Sequence, residues 1–337
     1  MGDYMKKEEM SKEECKRHRV RTIIKIVAIL IIFIPFISIG TYMYTEHVKE
    51  IEGMKVTMIG ASNMKDKENV NSMGYFIRTR NGKTIFIDGG RDFDYDDVKY
   101  YIDTYCNGTV DYWFLSHGHS DHVNAFVKLI NEDNSFVVKN VYHSLLSDEW
   151  YKEYDKRGYE SSHALIESLK DEQILNVVNC KKNQIIEIDN VKCEILRVAD
   201  PAITNTDNGN DASMVFKFTA IDVNKSIIFL GDGLKNVSKE VLENPESLKS
   251  DAVQMAHHGQ NGVTQEVYQA INPDVCFFNC PEWLWNNDNG GGYNSGSWQT
   301  VIVRGWMSEM NTTNYAAYEG DQTFHFNRNG VLKLEGN

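Results

Sequence analysis

His117-Gly118-His119-Ser120-Asp121-His122 places three of the chain's ten histidines and one aspartate within six positions. Imidazole and carboxylate together suit zinc or a similar borderline divalent cation. The run follows an apolar, strand-like segment, Val110–Ser116, and precedes a helix-like stretch, Val123–Ile130. A strand that ends in a tight, ligand-rich loop aims several side chains at one point. His117 and His119 alternate and can face one cation. Asp121 and His122 follow around the turn and can face a second. This suits metal-activated water attacking an electrophile. The plain alternative is a polar surface loop, against which the crowding of histidines argues.

Other segments carry compatible chemistry. They are Thr84-Ile85-Phe86-Ile87-Asp88-Gly89-Gly90, Asn210-Asp211-Ala212-Ser213, Phe229-Leu230-Gly231-Asp232-Gly233, and Asp251 to Gly259, which contains His257-His258. In this order, with the histidine loop, they resemble the motifs of the metallo-β-lactamase fold from about Met54 to about Asn279. The Asn210…Ser213, Gly231-Asp232 and His257-His258-Gly259 series is similar to the hydrolase domain of ComEC-type DNA-uptake proteins and their free-standing relatives. The resemblance implies an α/β fold, an αββα sandwich of two packed mixed sheets with outer helices. Two divalent cations are expected, zinc first and manganese second. His117 and His119 would serve the first site; Asp121, His122 and His257 the second; Asp232 would bridge them. His257 is preferred to His258 because it comes first after the strand Ala252–Ala256. Many members of the fold carry a further histidine before the Gly-Asp motif. Here Thr206–Ser213 has none, and Asn210 or Asp211 is expected to complete the first site through oxygen, which makes manganese plausible. Asp121 would also orient the attacking hydroxide. His258 would serve as acid to the leaving group or contact a phosphate oxygen.

Ile26–Tyr44 is a run of nineteen residues without a charged side chain. As a helix it would reach about 28 Å, close to a hydrocarbon core of roughly 30 Å. Lys16, Arg17, Arg19, Arg21 and Lys25 precede it, so the N-terminus is expected in the cytoplasm and the remainder outside. The expected organisation is a cytoplasmic tail over 1–22, a transmembrane anchor over 23–44, a connector over 45–53 and a hydrolase domain over 54–337. The formal net charge is −13, and residues beyond the first 25 carry −16. Such a surface lacks the basic footprint of a strong nucleic-acid binder. Beyond the anchor lie five cysteines, an odd number that precludes complete pairing within one chain. Cys193 and Cys276 sit in β-like runs and read as buried thiols.

Strand-like runs alternate with helix-like ones in both halves, as two sheets with outer helices require. Asn81-Gly82 between Tyr75–Thr79 and Thr84–Ile87 signals a hairpin. Phe136–Tyr142 reads as one strand and Asp148–Glu172 as one helical stretch. Tyr315–Tyr318 and Gln322–Phe326 read as a closing hairpin. Trp298 and Trp306 read as packing for a C-terminal helix. Trp283 and Trp285 fit equally the same packing or the rim of a site.

The resulting expectation is a membrane-anchored extracellular metallohydrolase, cleaving phosphodiesters of nucleic acid or of an envelope polymer by metal-bound hydroxide. The rivals are a carboxylic ester, lactone or β-lactam hydrolase and a catalytically silent envelope binding module. No protein partner is inferred. A reporter fused after Asn337 should be active only outside the cytoplasm; cytoplasmic activity of that fusion would refute the anchor.

Overall fold

The computed structural model describes residues 16–34 except 28 and 32, residue 43, and residues 52–334 except 61–69 and 205–208. The chain divides into two compact units, Met1–Ile51 and Glu52–Asn337. In the first unit, residues 16–27 are helical. Among the described residues no helix is long and apolar enough to cross a membrane. The anchor expected over 23–44 lies partly outside the described residues, as does most of the connector.

In the second unit, alternation of apolar side chains along each strand builds two sheets with three apolar layers. The first sheet runs Gly330–Lys333, Gln322–Asn327, Met54–Met58, Gly74–Thr79, Thr84–Asp88, Tyr112–Phe114, Val141–His143, Val177–Asn179. The second runs Thr313–Ala316, Val275–Phe278, Ala252–Gln254, Lys225–Phe229, Val215–Ala220, Val191–Arg197, Ile185–Ile188. Successive side chains on a strand point to opposite faces. Ile85, Ile87 and Phe114 from the first sheet therefore meet Phe216, Phe218, Ile227 and Phe229 from the second. Phe86 and Trp113 turn outward, against Val98 and Ile102 of the helix Tyr95–Tyr105 and Phe126 and Leu129 of the helix Ser120–Glu132. Ile228 and Val253 turn outward on the other side, against Val237, Val267 and Val303 from three further helices. This is an αββα sandwich, the architecture the motifs imply.

Each sheet changes from antiparallel to parallel pairing. Thr84–Asp88 pairs antiparallel with Gly74–Thr79 and parallel with Tyr112–Phe114. Lys225–Phe229 pairs antiparallel with Val215–Ala220 and parallel with Ala252–Gln254. Parallel neighbours end at the same edge, so the loops leaving them converge.

Three sequence expectations change. Phe136–Tyr142 is two short strands: Val137–Val138 pairs with Thr109–Val110, and Val141–His143 joins the first sheet. Asp148–Glu172 breaks into the helices Asp148–Tyr154 and Tyr159–Ser168 around a buried Asp155. Thr313–Ala316 and Gln322–Asn327 form no hairpin, because the first lies in the second sheet and the second in the first. All five described cysteines are buried and unpaired. The four tryptophans pack around the outer layer of the second sheet, with Trp283 and Trp298 rings 4.6 Å apart and the Arg304 guanidinium 3.8 Å over Trp285.

Phe229 is fully buried between the sheets, with its ring 5.0 Å from that of Tyr75 across the interface and 5.4 Å from that of Phe216. Truncating a large buried aromatic costs about 3–5 kcal/mol. Phe229→Ala should lower the denaturant midpoint accordingly, and an unchanged midpoint would contradict this packing.

Candidate metal centre

Asp88 ends its strand with φ 53°, in the left-handed region, and its side chain is wholly buried. Aspartate tolerates that conformation better than most residues. Its Oδ1 accepts from the Ser116 backbone N–H at 2.7 Å, and its Oδ2 accepts from Ser116 Oγ at 2.7 Å. The same Oδ2 lies 2.7 Å from His122 Nδ1. A single carboxylate thus holds both ends of the histidine loop. Between them, His119 caps the helix Ser120–Glu132, and Asp121 sits in its first turn, where the helix dipole favours an anion. The Met214 backbone N–H donates to Ser116 O at 2.8 Å, tying this loop to the other sheet.

The second sheet supplies its groups from two adjacent strand ends. After Lys225–Phe229 the chain turns at Gly231 (φ 55°), and the Asp232 N–H donates to Ser213 Oγ at 3.0 Å. After Ala252–Gln254 both His257 and His258 take left-handed conformations, φ 52° and 59°. This double reversal turns His258 inward. Its Nδ1 donates to Asn279 O at 2.8 Å, leaving Nε2 toward the carboxylates.

One atom from each of Asp121, His122, Asp232 and His258 lies within 4.8 Å of the others. His122 Nε2 is 3.2 Å from Asp232 Oδ1; His258 Nε2 is 3.3 Å from Asp121 Oδ2 and 3.4 Å from Asp232 Oδ2. Yet Nε2 of His122, Nε2 of His258 and Oδ1 of Asp232 are buried without a well-formed hydrogen bond. Nε2 of His117 is equally buried and unengaged, while its Nδ1 meets Ser116 Oγ at 3.1 Å. Buried polar atoms normally find partners. Convergent lone-pair atoms of nitrogen and carboxylate oxygen fit a divalent cation of the zinc or manganese class.

Charge follows the same pattern. Burial lowers the His258 pKa, but Asp232 and Asp121 outweigh it and push the imidazole up to about 9. His122 is likewise raised, burial being overcome by Asp232 and Asp88. Asp121 and Asp232 are held below the usual carboxylate range in spite of burial, by His258 and His122. His117 is pushed down, by burial first and then by His122 and His119. Burial pulls on His119 too, but Asp155 raises it.

The expected site residues divide. Asp121, His122 and Asp232 come together, joined by His258. His257 does not join them, since it is the second left-handed residue and not the first that faces the strand ends. It lies half-buried on the solvent side, its Nε2 3.3 Å from Asn210 Nδ2. Asn210 Nδ2 meets His257, and Asp211 accepts from Leu234 N–H and Asn236 Nδ2. The rings of His117 and His119 meet edge to face, centroids 4.7 Å apart, next to the cluster, but no second group of three or more histidine, cysteine or carboxylate ligands forms among the described residues. Sequence reasoning missed Ser116, Asn279 and Asp155. Asn279 was accessible in principle, since it follows a strand parallel to the one before His258; Asp155 gave no signal of its own.

No protein-family model matches the chain, and no curated protein matches it. Solved structures do. The metallo-β-lactamase fold protein YhfI from Bacillus subtilis is similar at 13% identity and TM-score 0.49, over 81% of this chain and 100% of that one. Unliganded yeast PDE1 is similar at 9% identity and TM-score 0.48, over 82% and 100%. A diphosphatase from the PhnP family is similar at 13% identity and TM-score 0.43, over 84% and 98%.

Raised imidazole pKa values stabilise the native state below the unfolded value, near 6.5, and that contribution is lost as pH rises through about 9. The chelator-treated protein should therefore melt at lower temperature at pH 9.5 than at pH 6.5, with zinc reducing the difference. Equal melting temperatures at the two pH values would contradict the charge arrangement.

Proposed function

We propose that this chain is a metal-dependent hydrolase that cleaves phosphodiester bonds, with two divalent cations as cofactors, zinc first and manganese second. The convergence of the half-buried Asp121 with the buried His122, Asp232 and His258 carries the reading. A cation bound there would supply an acidified water and stabilise negative charge developing on oxygen. Those four residues would hold one cation. His117 and His119, edge to face beside them, would hold the other with Asp232 shared. Asp88, Ser116 and Asn279 fix which ring nitrogen each imidazole presents. Asp121 orients the attacking water. His257, half-buried on the solvent side with Nε2 beside the buried Asn210, would contact a substrate oxygen.

Phosphorus is preferred to a carbonyl carbon because the Asn210…Ser213, Gly231-Asp232 and His257-His258-Gly259 series resembles the ComEC-type domain. Two cations also suit in-line displacement at phosphorus, one for each oxygen involved. The charge of −16 beyond residue 25 favours a short or locally presented substrate over long duplex DNA, since lysine and arginine contacts to phosphate supply most nonspecific affinity. The substrate is a nucleic acid or an envelope polymer, and residues 23–44 anchor the hydrolase outside the cell. Ile23, Ile24, Ile26, Val27, Ile29 and Leu30 are exposed on the described part of that segment, as contact with lipid requires.

The test compares wild type, His258→Ala and His257→Ala on bis(p-nitrophenyl) phosphate, a phosphomonoester, single-stranded DNA and a β-lactam, with zinc or manganese. The wild type should cleave the diester faster than the monoester. His258→Ala should lose bound metal and at least tenfold in rate, as loss of a ligand requires, whereas His257→Ala should keep its metal. β-Lactam turnover without diester cleavage by the metal-replete protein would sink the phosphodiesterase reading.

A further inference from the structure

Asp155 is a fully buried carboxylate that no motif indicates. It follows the helix Asp148–Tyr154 at the break before Tyr159–Ser168. Its Oδ2 lies 3.0 Å from His119 Nε2, and its Oδ1 accepts from the Gly158 N–H at 3.3 Å. Two glycines close on the pair. A Cβ on Gly158 would come within 2.3 Å of Asp155 Oδ2 and 2.4 Å of His119 Cδ2; a Cβ on Gly209 would come within 2.4 Å of Asp155 Oδ2. The backbone of two separate loops is thus in contact with this one interaction.

The other three imidazoles of the centre follow one pattern. His117, His122 and His258 each tie Nδ1 to a partner (Ser116 Oγ, Asp88 and Asn279 O) and leave Nε2 buried without a well-formed hydrogen bond. His119 is inverted, with Nε2 tied, so Nδ1 is the nitrogen left to offer. The Gly209 N–H also lies 3.2 Å from His119 Nε2. One ring nitrogen cannot accept from Gly209 and donate to Asp155 together. The carboxylate prevails, because a charge-assisted hydrogen bond is about twice as strong as a neutral one, and a buried carboxylate without a donor is costly. Nε2 then carries the proton and Nδ1 keeps its lone pair.

We propose that Asp155 is a positioning residue that holds His119 in the Nε2–H tautomer, so that Nδ1 is available to the first cation. This rests on the reading that His117 and His119 bind that cation. Metal-ligating histidines commonly donate their other N–H to a carboxylate. The isosteric Asp155→Asn reverses the arrangement. The Gly158 N–H would hold the amide oxygen, turning the amide N–H toward His119 Nε2, which must then accept. The ring proton moves to Nδ1 and blocks the cation. In Asp155→Ala the Gly209 N–H takes Nε2, with the same outcome.

The experiment measures zinc stoichiometry and affinity by chelator competition in wild type, Asp155→Asn, Asp155→Ala and His119→Ala. It also reads the His119 tautomer by long-range proton–nitrogen NMR of the zinc-free protein, at a pH where that imidazole is neutral. Asp155→Asn should weaken one zinc site by roughly 10–100-fold, leave the other, and move the ring proton from Nε2 to Nδ1. Wild type with the proton on Nδ1 would overturn the proposal, even if both Asp155 variants failed to fold. So would Asp155→Asn with wild-type affinity at both sites while His119→Ala loses one; that result leaves the two-cation reading standing. Wild-type stoichiometry in His119→Ala would instead remove the two-cation reading, and the Asp155 proposal with it.

Discussion

Two carboxylates cannot share a poorly hydrated site without positive charge between them, and the half-buried Asp121 and the buried Asp232 impose that condition on everything around them. Repulsion and lost hydration would otherwise neutralise one of them. The chain meets the condition with His122 and His258, whose Nε2 atoms face the carboxylates at ion-pair distance. Two imidazolium protons and one divalent cation carry the same charge. A cation can therefore replace the two protons with no change in the net charge of the cluster, and its binding should release protons.

The condition reaches into the backbone. Asp88, His257 and His258 all adopt left-handed conformations that cost non-glycine residues roughly 1–2 kcal/mol each. Those costs persist because hydrogen bonds over-determine each turn: Ser116 and His122 on Asp88, and Asn279 O on His258. The strained residues sit where parallel strands end, on rigid supports fixed by the aromatic layer between the sheets. Phe229, three residues before Asp232, belongs to that layer.

Much of the sandwich was legible in the sequence, because a continuous apolar run reports a strand buried on both faces and an alternating one a strand with one wet face. The Asn81-Gly82 turn marked its hairpin for the same local reason. What patterning cannot report is the sheet a strand joins. Tyr315 and Phe324 look alike along the chain, yet their strands belong to different sheets. The same limit explains the site. The histidine loop and Asp232 were visible as clustered ligand types, but the choice between His257 and His258 depends on two φ angles, and sequence carries little information about those. Asp155 was hidden because a lone aspartate in a polar stretch reads as a solvated helix face; its burial follows from a helix break that the stretch does not announce.

The strand orders hold a correspondence between the two sheets. Met54–Met58, Gly74–Thr79 and Thr84–Asp88 form an antiparallel meander followed by three parallel strands, and Val191–Arg197, Val215–Ala220 and Lys225–Phe229 do the same. In each half an aspartate stands at or just beyond the end of the third strand of the meander, Asp88 or Asp232, and histidines follow the next strand, His117 to His122 or His257 and His258. The centre is thus a seam between two structurally equivalent half-molecules, each contributing one carboxylate and one imidazole to the four-residue cluster. Neither half holds a complete ligand set. A cation held there would act as a cross-link between the halves, and its retention would report whether they remain docked.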